Sequence, residues 1–172
     1  RRLAAQIMGK LGVSSFYDPL IGLLRDEQRD VRREAIRAAG QVRNPKLIPL
    51  VLEALNEPAL RSTAAAILFT WKEEALPVLF DMIDHQSQDH EYQTAAIDVI
   101  GHIGGERAEV WLKHKLTDPS ARVRTQVLRS LSDCGYQAEV GEKEVIQDQI
   151  RFEVALGTQL LAFISDFGEN KA

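Results

Sequence analysis

The chain has 172 residues, of which 45% are apolar, and a formal net charge of -4. That is enough length and apolar side chain to bury a substantial core in a soluble globular protein. The acidic balance argues against nucleic acid as the main partner, because a phosphate-binding surface needs a basic excess; no apolar run approaches the roughly 18–20 residues of a bilayer span.

Residues 1–12 place Leu3, Ala4, Ile7, Met8 and Leu11 on one helical face, and Gly12 ends that helix. Ser14 and Ser15 offer a cap for the next one, which Asp18-Pro19 opens with Leu20, Ile21, Leu23 and Leu24 as its buried side. Proline suits a first turn, where the N–H has no intrahelical partner. The same device returns at Pro49 and Pro77, each opening a short apolar helix. Between these short helices lies a longer pattern that the chain keeps rewriting: Val31 to Val42, Leu60 to Trp71, Tyr92 to Ile103 and Val123 to Cys134. The starts at 31, 60, 92 and 123 are 29, 32 and 31 residues apart, and the chain opens inside a further copy with Arg1 at the second place. A chain that starts in mid-repeat is expected to be a piece of something longer. A fixed period of this size signals stacked two-helix repeats. The last copy departs, since Arg107 to Leu116 lacks the proline and offers Val110, Trp111, Leu112 and Leu116 instead.

Within the repeated helix, places 1, 5, 8, 9 and 12 are apolar in nearly every copy, and place 10 is Gly9, Gly40 or Gly101. Small side chains at places 5 and 6 and glycine at place 10 permit close helix approach. Phe69 and Ser132 replace that glycine in two copies, so the repeat carrying Phe69 and Trp71 is expected to pack differently. Place 2 is Arg1, Arg32, Arg61 and Arg124, with Gln93 the exception; Asp26, Asp30, Glu57, Asp89, Glu91 and Asp118 lie in the turns just before. Such a ladder would tie neighbouring repeats together and complement helix N-termini.

The pattern Val-Arg-x-x-Ala-x-x-Ala-x-Gly-x-Val behind a proline-opened helix resembles the HEAT-like repeats of the phycobilisome-lyase type. The likeness covers residues 1–135, about four and a half repeats. It implies an all-α fold, an armadillo-like α-solenoid whose second helices line a concave surface, with residues 136–172 as a C-terminal capping helix and tail of the same domain. Most such proteins are binding scaffolds. From Gln149-Ile150-Arg151 to Asp166-Phe167-Gly168 the tail more loosely resembles the segment after HEAT-like repeats in bacterial membrane proteins of the nucleotide-translocase type, where such repeats are cytosolic.

The tail breaks the period with one long helical pattern, roughly 142–166, that carries two apolar stripes. Ile150, Val154, Gly157, Leu161 and Ile164 form the first; Phe152, Leu156, Phe163 and Phe167 form the second. One stripe can close the open end of a solenoid. The second either wraps into the last repeat or meets something outside the chain: a missing segment, a crystal neighbour or a homodimer mate. Phe152, Phe163 and Phe167 are the residues of that candidate interface.

Chemistry is harder to find. Gly101-His102-Ile103-Gly104-Gly105 lacks the following Lys-Ser/Thr of a phosphate loop and reads as a helix end. His85 and His90 bracket the one local cluster of metal-capable side chains, best read as a hydrated polar loop. Deoxyhypusine hydroxylases, also HEAT-like, need repeated His-Glu steps, and here only His90-Glu91 occurs. HEAT-like DNA glycosylases need a basic concave surface, against which the net charge speaks. Cys134, the sole cysteine, cannot form an internal disulfide; it suits a reducing, cytoplasmic compartment and takes a core place rather than a nucleophile's. No catalytic residue, cofactor or metal is expected.

The expected function is therefore that of a non-catalytic interaction scaffold, with a regulatory cytosolic domain of a membrane transporter or a lyase-type subunit as alternatives. In a solenoid, places 3, 7 and 11 of the second helices point along the concave face. They are Arg2, Gln6 and Lys10; Arg33, Arg37 and Gln41; Ser62, Ala66 and Thr70; Thr94, Asp98 and His102; Thr125, Arg129 and Asp133. Residues 1–46 hold ten Lys/Arg against five Asp/Glu, and the remainder eleven against twenty. The expected partner is thus a protein or peptide, acidic where it meets Arg33 and Arg37, with neither nucleic acid binding nor direct membrane insertion.

Overall fold

A computed structural model describes residues 1–86, 89–137 and 140–169, and within them all side chains but those of residues 86, 140, 142, 145, 153 and 160–169. Among the described residues ten α-helices follow one another: α1 (Arg2–Leu11), α2 (Tyr17–Leu24), α3 (Arg29–Val42), α4 (Ile48–Glu53), α5 (Pro58–Trp71), α6 (Leu76–Asp81), α7 (His90–Ile103), α8 (Glu106–His114), α9 (Ala121–Asp133) and α10 (Val140–Glu169). No strand occurs among the described residues. The repeated pattern is α1, α3, α5, α7 and α9, here called the motif helices. All but α9 end at place 12, and α9 ends one residue sooner.

Local chemistry accounts for the boundaries. Gly12 stops α1 in the left-handed region at φ 61°, where its missing Cβ removes the clash. Pro49 and Pro77 stand in the first turns of α4 and α6, as their fixed φ favours. Asp26 and Asp118 accept a hydrogen bond at 2.9 Å from the backbone N–H two residues on, just ahead of α3 and α9; Asp89 does the same at 2.8 Å for α7. Ser14 and Ser15 do not cap α2. They belong to a 3₁₀ turn, Ser14–Phe16, that runs directly into it.

The motif helices stack side by side in one layer and α2, α4, α6 and α8 in a second, with one continuous core between them. Neighbouring motif helices approach much more closely than neighbouring helices of the second layer. The chain is an all-α solenoid. Glycine sets the tight spacing: a Cβ built on Gly101 would lie 2.5 Å from Ser130 Cβ and 2.8 Å from Ser130 Cα. Gly9 likewise meets Ala38 Cα and Cβ, and Gly40 meets the Ile67 side chain, so place 10 of these three copies faces place 8 of the next. Where Phe69 stands instead, α5 and α7 make the loosest of the four steps, and Trp71 behind it is fully buried.

Two apolar assignments need correction. Leu3, Ile7 and Leu11 of α1 are exposed, and its buried residues are Ala5 and Gly9, because only that side meets α3. Val110 is 59% exposed, since Ala108, Leu112 and Leu116 take the core side at helical spacing and turn Val110 away.

The arginine ladder forms as the spacing implied. Arg1 reaches Asp26 at 2.8 Å, Arg32 holds both oxygens of Glu57 at 2.7 Å, and Arg61 reaches Glu91 at 3.6 Å. Each arginine therefore points to the turn of the next repeat. Arg32, Arg61 and Arg124 also donate to carbonyls of the turn before their own helix, at 2.6 Å to Asp26, 2.9 Å to Leu55 and 2.7 Å to Asp118. The Glu57 carboxyl is held below its ordinary range, foremost by the Arg32 hydrogen bonds and then by Arg29, against the opposing effect of desolvation. A depressed folded-state pKa contributes stability above the unfolded value, about 4.3, that is lost as pH falls through the folded one. Glu57→Gln should thus cost about 1–2 kcal/mol at pH 7. In urea titrations at several pH values, that deficit should shrink below about pH 4. A deficit that stays constant down to pH 3 would show that the ladder charge contributes nothing.

Candidate functional site: the outer face of the motif helices

Building the core consumes places 1, 5, 8, 9 and 12 of each motif helix and leaves places 3, 7 and 11 facing outward. Arg2, Lys10, Arg37, Gln41, Ser62, Ala66, Thr70, His102, Thr125, Arg129 and Asp133 are exposed there, and Gln6, Arg33, Thr94 and Asp98 are half-buried. These side chains form rows that cross the stack, one from each motif helix.

The loose step interrupts the rows. Phe69 wedges between α5 and α7 and lies against the His102 ring, centroids 5.3 Å apart. Toward the other end of the same helices the step opens into a cleft of about 570 Å³, walled by Arg61, Ser62 and Ala65 on α5 and by Thr94 and Asp98 on α7. Arg122 and Gln126 of α9 complete it. A second hollow of about 400 Å³ adjoins it, between Thr94, Arg122, Thr125 and Arg129, so the groove continues across α9. A smaller one, about 270 Å³, lies at the basic end between Gln6, Lys10, Arg37 and Gln41.

Charges along this face are not distributed as the raw count suggests. Arg33 pairs with Asp30 and Arg37 with Glu34, both at 2.9 Å and both one turn apart on α3. Among the described residues Arg2, Lys10, Arg122 and Arg129 make no ion pair. The cations left over thus sit at the two ends of the face, with Arg122 and Arg129 bordering the groove. Arg122 escaped the register of places 3, 7 and 11 because it precedes the first place of its copy. It lies seven residues before Arg129, two turns along the same helix face, and that spacing was the available signal.

The family model for HEAT repeats matches residues 1–69 and again residues 56–132. The chain belongs to the HEAT-repeat family. The match is to HEAT repeats as a class and carries no subtype. No curated protein matches the chain in sequence. HEAT repeats in general serve as protein-interaction scaffolds and are typically not enzymes. No helix among the described residues is long and apolar enough to cross a membrane.

Three further features of this HEAT-repeat chain bear on function. Phe152 of the tail helix is 53% exposed and rests against the Arg124 guanidinium, 5.7 Å from its ring centre; the side chains of Phe163 and Phe167 lie outside the described residues. Arg124 is the ladder's last arginine, so the tail meets the stack at the end of the ladder. The loop histidines bond locally: His85 Nδ1 lies 3.2 Å from Asp81 Oδ1, and His90 Nδ1 lies 3.2 Å from Gln93 Oε1. Burial pushes the Cys134 thiol up from its ordinary pKa, and its Sγ sits 3.1 Å from the Leu131 carbonyl, an environment that suppresses the thiolate.

Proposed function

We propose that this HEAT-repeat chain is a non-catalytic scaffold that holds an acidic stretch of a partner protein along the concave, motif-helix face. The observation that carries this reading is the groove opened at the α5–α7 step and bordered by Arg122 and Arg129, which make no ion pair among the described residues. Seven residues along a helix span roughly 10.5 Å. A peptide in the polyproline II conformation rises about 3.1 Å per residue with three residues per turn, so acidic side chains three positions apart share one face and match that separation. Thr94, Thr125 and Gln126 supply polar contacts between the two cations. At the opposite end Arg2 and Lys10 can engage a second acidic segment, whereas Arg33 and Arg37 are already neutralised by Asp30 and Glu34. The suppressed thiolate of Cys134 and the local bonding of the loop histidines support the absence of catalysis.

The test is fluorescence anisotropy with labelled peptides carrying paired acidic residues at different spacings. The three-residue spacing should bind best and weaken as salt rises. Arg122→Glu with Arg129→Glu should weaken it at least tenfold, about 1.4 kcal/mol. Arg33→Glu with Arg37→Glu should change it less. Equal binding of acidic, neutral and basic peptides, or indifference to the Arg122 and Arg129 changes, would refute the groove as the site.

A further inference from the structure

The same face carries a second group of side chains, which shares only Asp98 with the wall of the groove. Asp98 and His102 of α7 and Asp133 of α9 each offer a ligand atom, all within 4.8 Å of one another. They come together because Gly101 brings α7 and α9 into backbone contact at Ser130, the tightest kind of step in the stack. We infer that Asp98, His102 and Asp133 form a binding site for one divalent transition metal ion of the zinc class.

Neighbouring groups position two of the three ligands. Phe69 of α5 packs against the His102 ring at 5.3 Å and limits its rotation. His102 Nδ1 lies 2.9 Å from the Asp98 backbone carbonyl, a contact that holds the ring beside the Asp98 side chain. Gln126 of α9 donates to Asp98 Oδ1 at 3.1 Å, while Oδ2 is the oxygen turned toward His102, at 3.9 Å from Nδ1. Fixing one carboxylate oxygen so that the other faces the ion is what an outer shell does in metal sites. Neither aspartate pairs with an arginine or lysine among the described residues. Both α7 and α9 also end here, so the negative ends of two helix dipoles add to the attraction for a cation.

One imidazole and two carboxylates form a mixed N/O set suited to zinc and its neighbours rather than to magnesium or calcium, which take oxygen alone. Ligands at about 2.0–2.1 Å from a tetrahedral ion stand roughly 3.4 Å apart, so side-chain rotations of about 1 Å close the site. Three protein ligands leave the fourth position open to water or to an incoming donor. Bound across α7 and α9, the ion would clamp these two repeats together.

Calorimetric titration of the untagged chain with Zn²⁺, paired with thermal melting, tests this. One ion per chain should bind and raise the melting temperature, while Mg²⁺ at the same concentration should do neither. His102→Ala and Asp133→Asn, both at exposed positions, should each weaken binding by at least about 100-fold, more than loss of an outer-shell partner. His85→Ala with His90→Ala should leave it unchanged. Absence of Zn²⁺ binding to the unaltered chain, its survival in His102→Ala and Asp133→Asn, or its loss in the His85 and His90 variant would each overturn the inference.

Discussion

Gly101→Ala should lower the melting temperature by about 2–12 °C. The added Cβ would stand 2.5 Å from Ser130 Cβ and 2.8 Å from Ser130 Cα. Because one of those atoms is backbone, no rotamer change relieves the clash, and α7 must back away from α9 or bend. Overpacking of this kind costs about 1–3 kcal/mol, and 1 kcal/mol corresponds to about 2–4 °C in a chain of this size. The matched control is Gly22→Ala. Nothing lies within 4 Å of a Cβ there, so relief of glycine's backbone entropy, up to about 1 kcal/mol in a helix, should leave stability equal or raised. Calorimetry of the two variants beside the parent measures the difference. If Gly101→Ala melts with the parent, glycine does not set the α7–α9 spacing.

Trp71→Ala should cost about 3–5 kcal/mol, the range for truncating a fully buried aromatic side chain. Trp71 occupies a place that holds Leu11, Val42, Ile103 or Cys134 in the other copies, so its extra volume fills space particular to its repeat. Its indole Nε1–H is buried without an acceptor among the described residues. A buried unsatisfied donor costs about 1–3 kcal/mol, so Trp71→Phe exchanges lost volume for relief of that penalty. We expect Trp71→Phe to lie within about 1.5 kcal/mol of the parent, the range for well-matched core swaps. Urea unfolding followed by far-ultraviolet circular dichroism measures both, since Trp111 keeps a second fluorophore in the protein. Equal losses for alanine and phenylalanine would mean that the indole itself, including its N–H, is required.

The period in the sequence specifies the fold because its residues act locally or against the adjacent copy. Val42, Trp71 and Ile103 end their helices where the pattern ends, and Arg1, Arg32 and Arg61 find carboxylates one repeat on. Pairings on a single helix were also legible: Asp30 with Arg33 and Glu34 with Arg37 are one turn apart, although the charge count concealed that these arginines are neutralised. That the copy carrying Phe69 packs differently was legible, but the width of each step was not. It depends on what place 10 meets across the gap, and so the α5–α7 groove emerged only with α5 and α7 in position. The same holds for His102 and Asp133, both at place 11 of successive copies, whose juxtaposition depends on Gly101 closing their step. Val110 was misplaced because Val110-Trp111-Leu112 reads as one apolar run until Ala108 fixes which side of α8 is inward.

The phenylalanine that replaces glycine at the α5–α7 step also bears on how the protein melts. In a stack where each unit touches only its neighbours, cooperativity is limited by the weakest seam. Residues 1–71 and 90–134 flank that seam, so the solenoid is closest to unfolding as two blocks at this point. A ligand seated between Arg61, Thr94 and Arg122 would bridge both blocks and weld them into one cooperative unit. Occupancy of the groove would then register along the whole chain as a sharper melting transition, without any helix changing its shape.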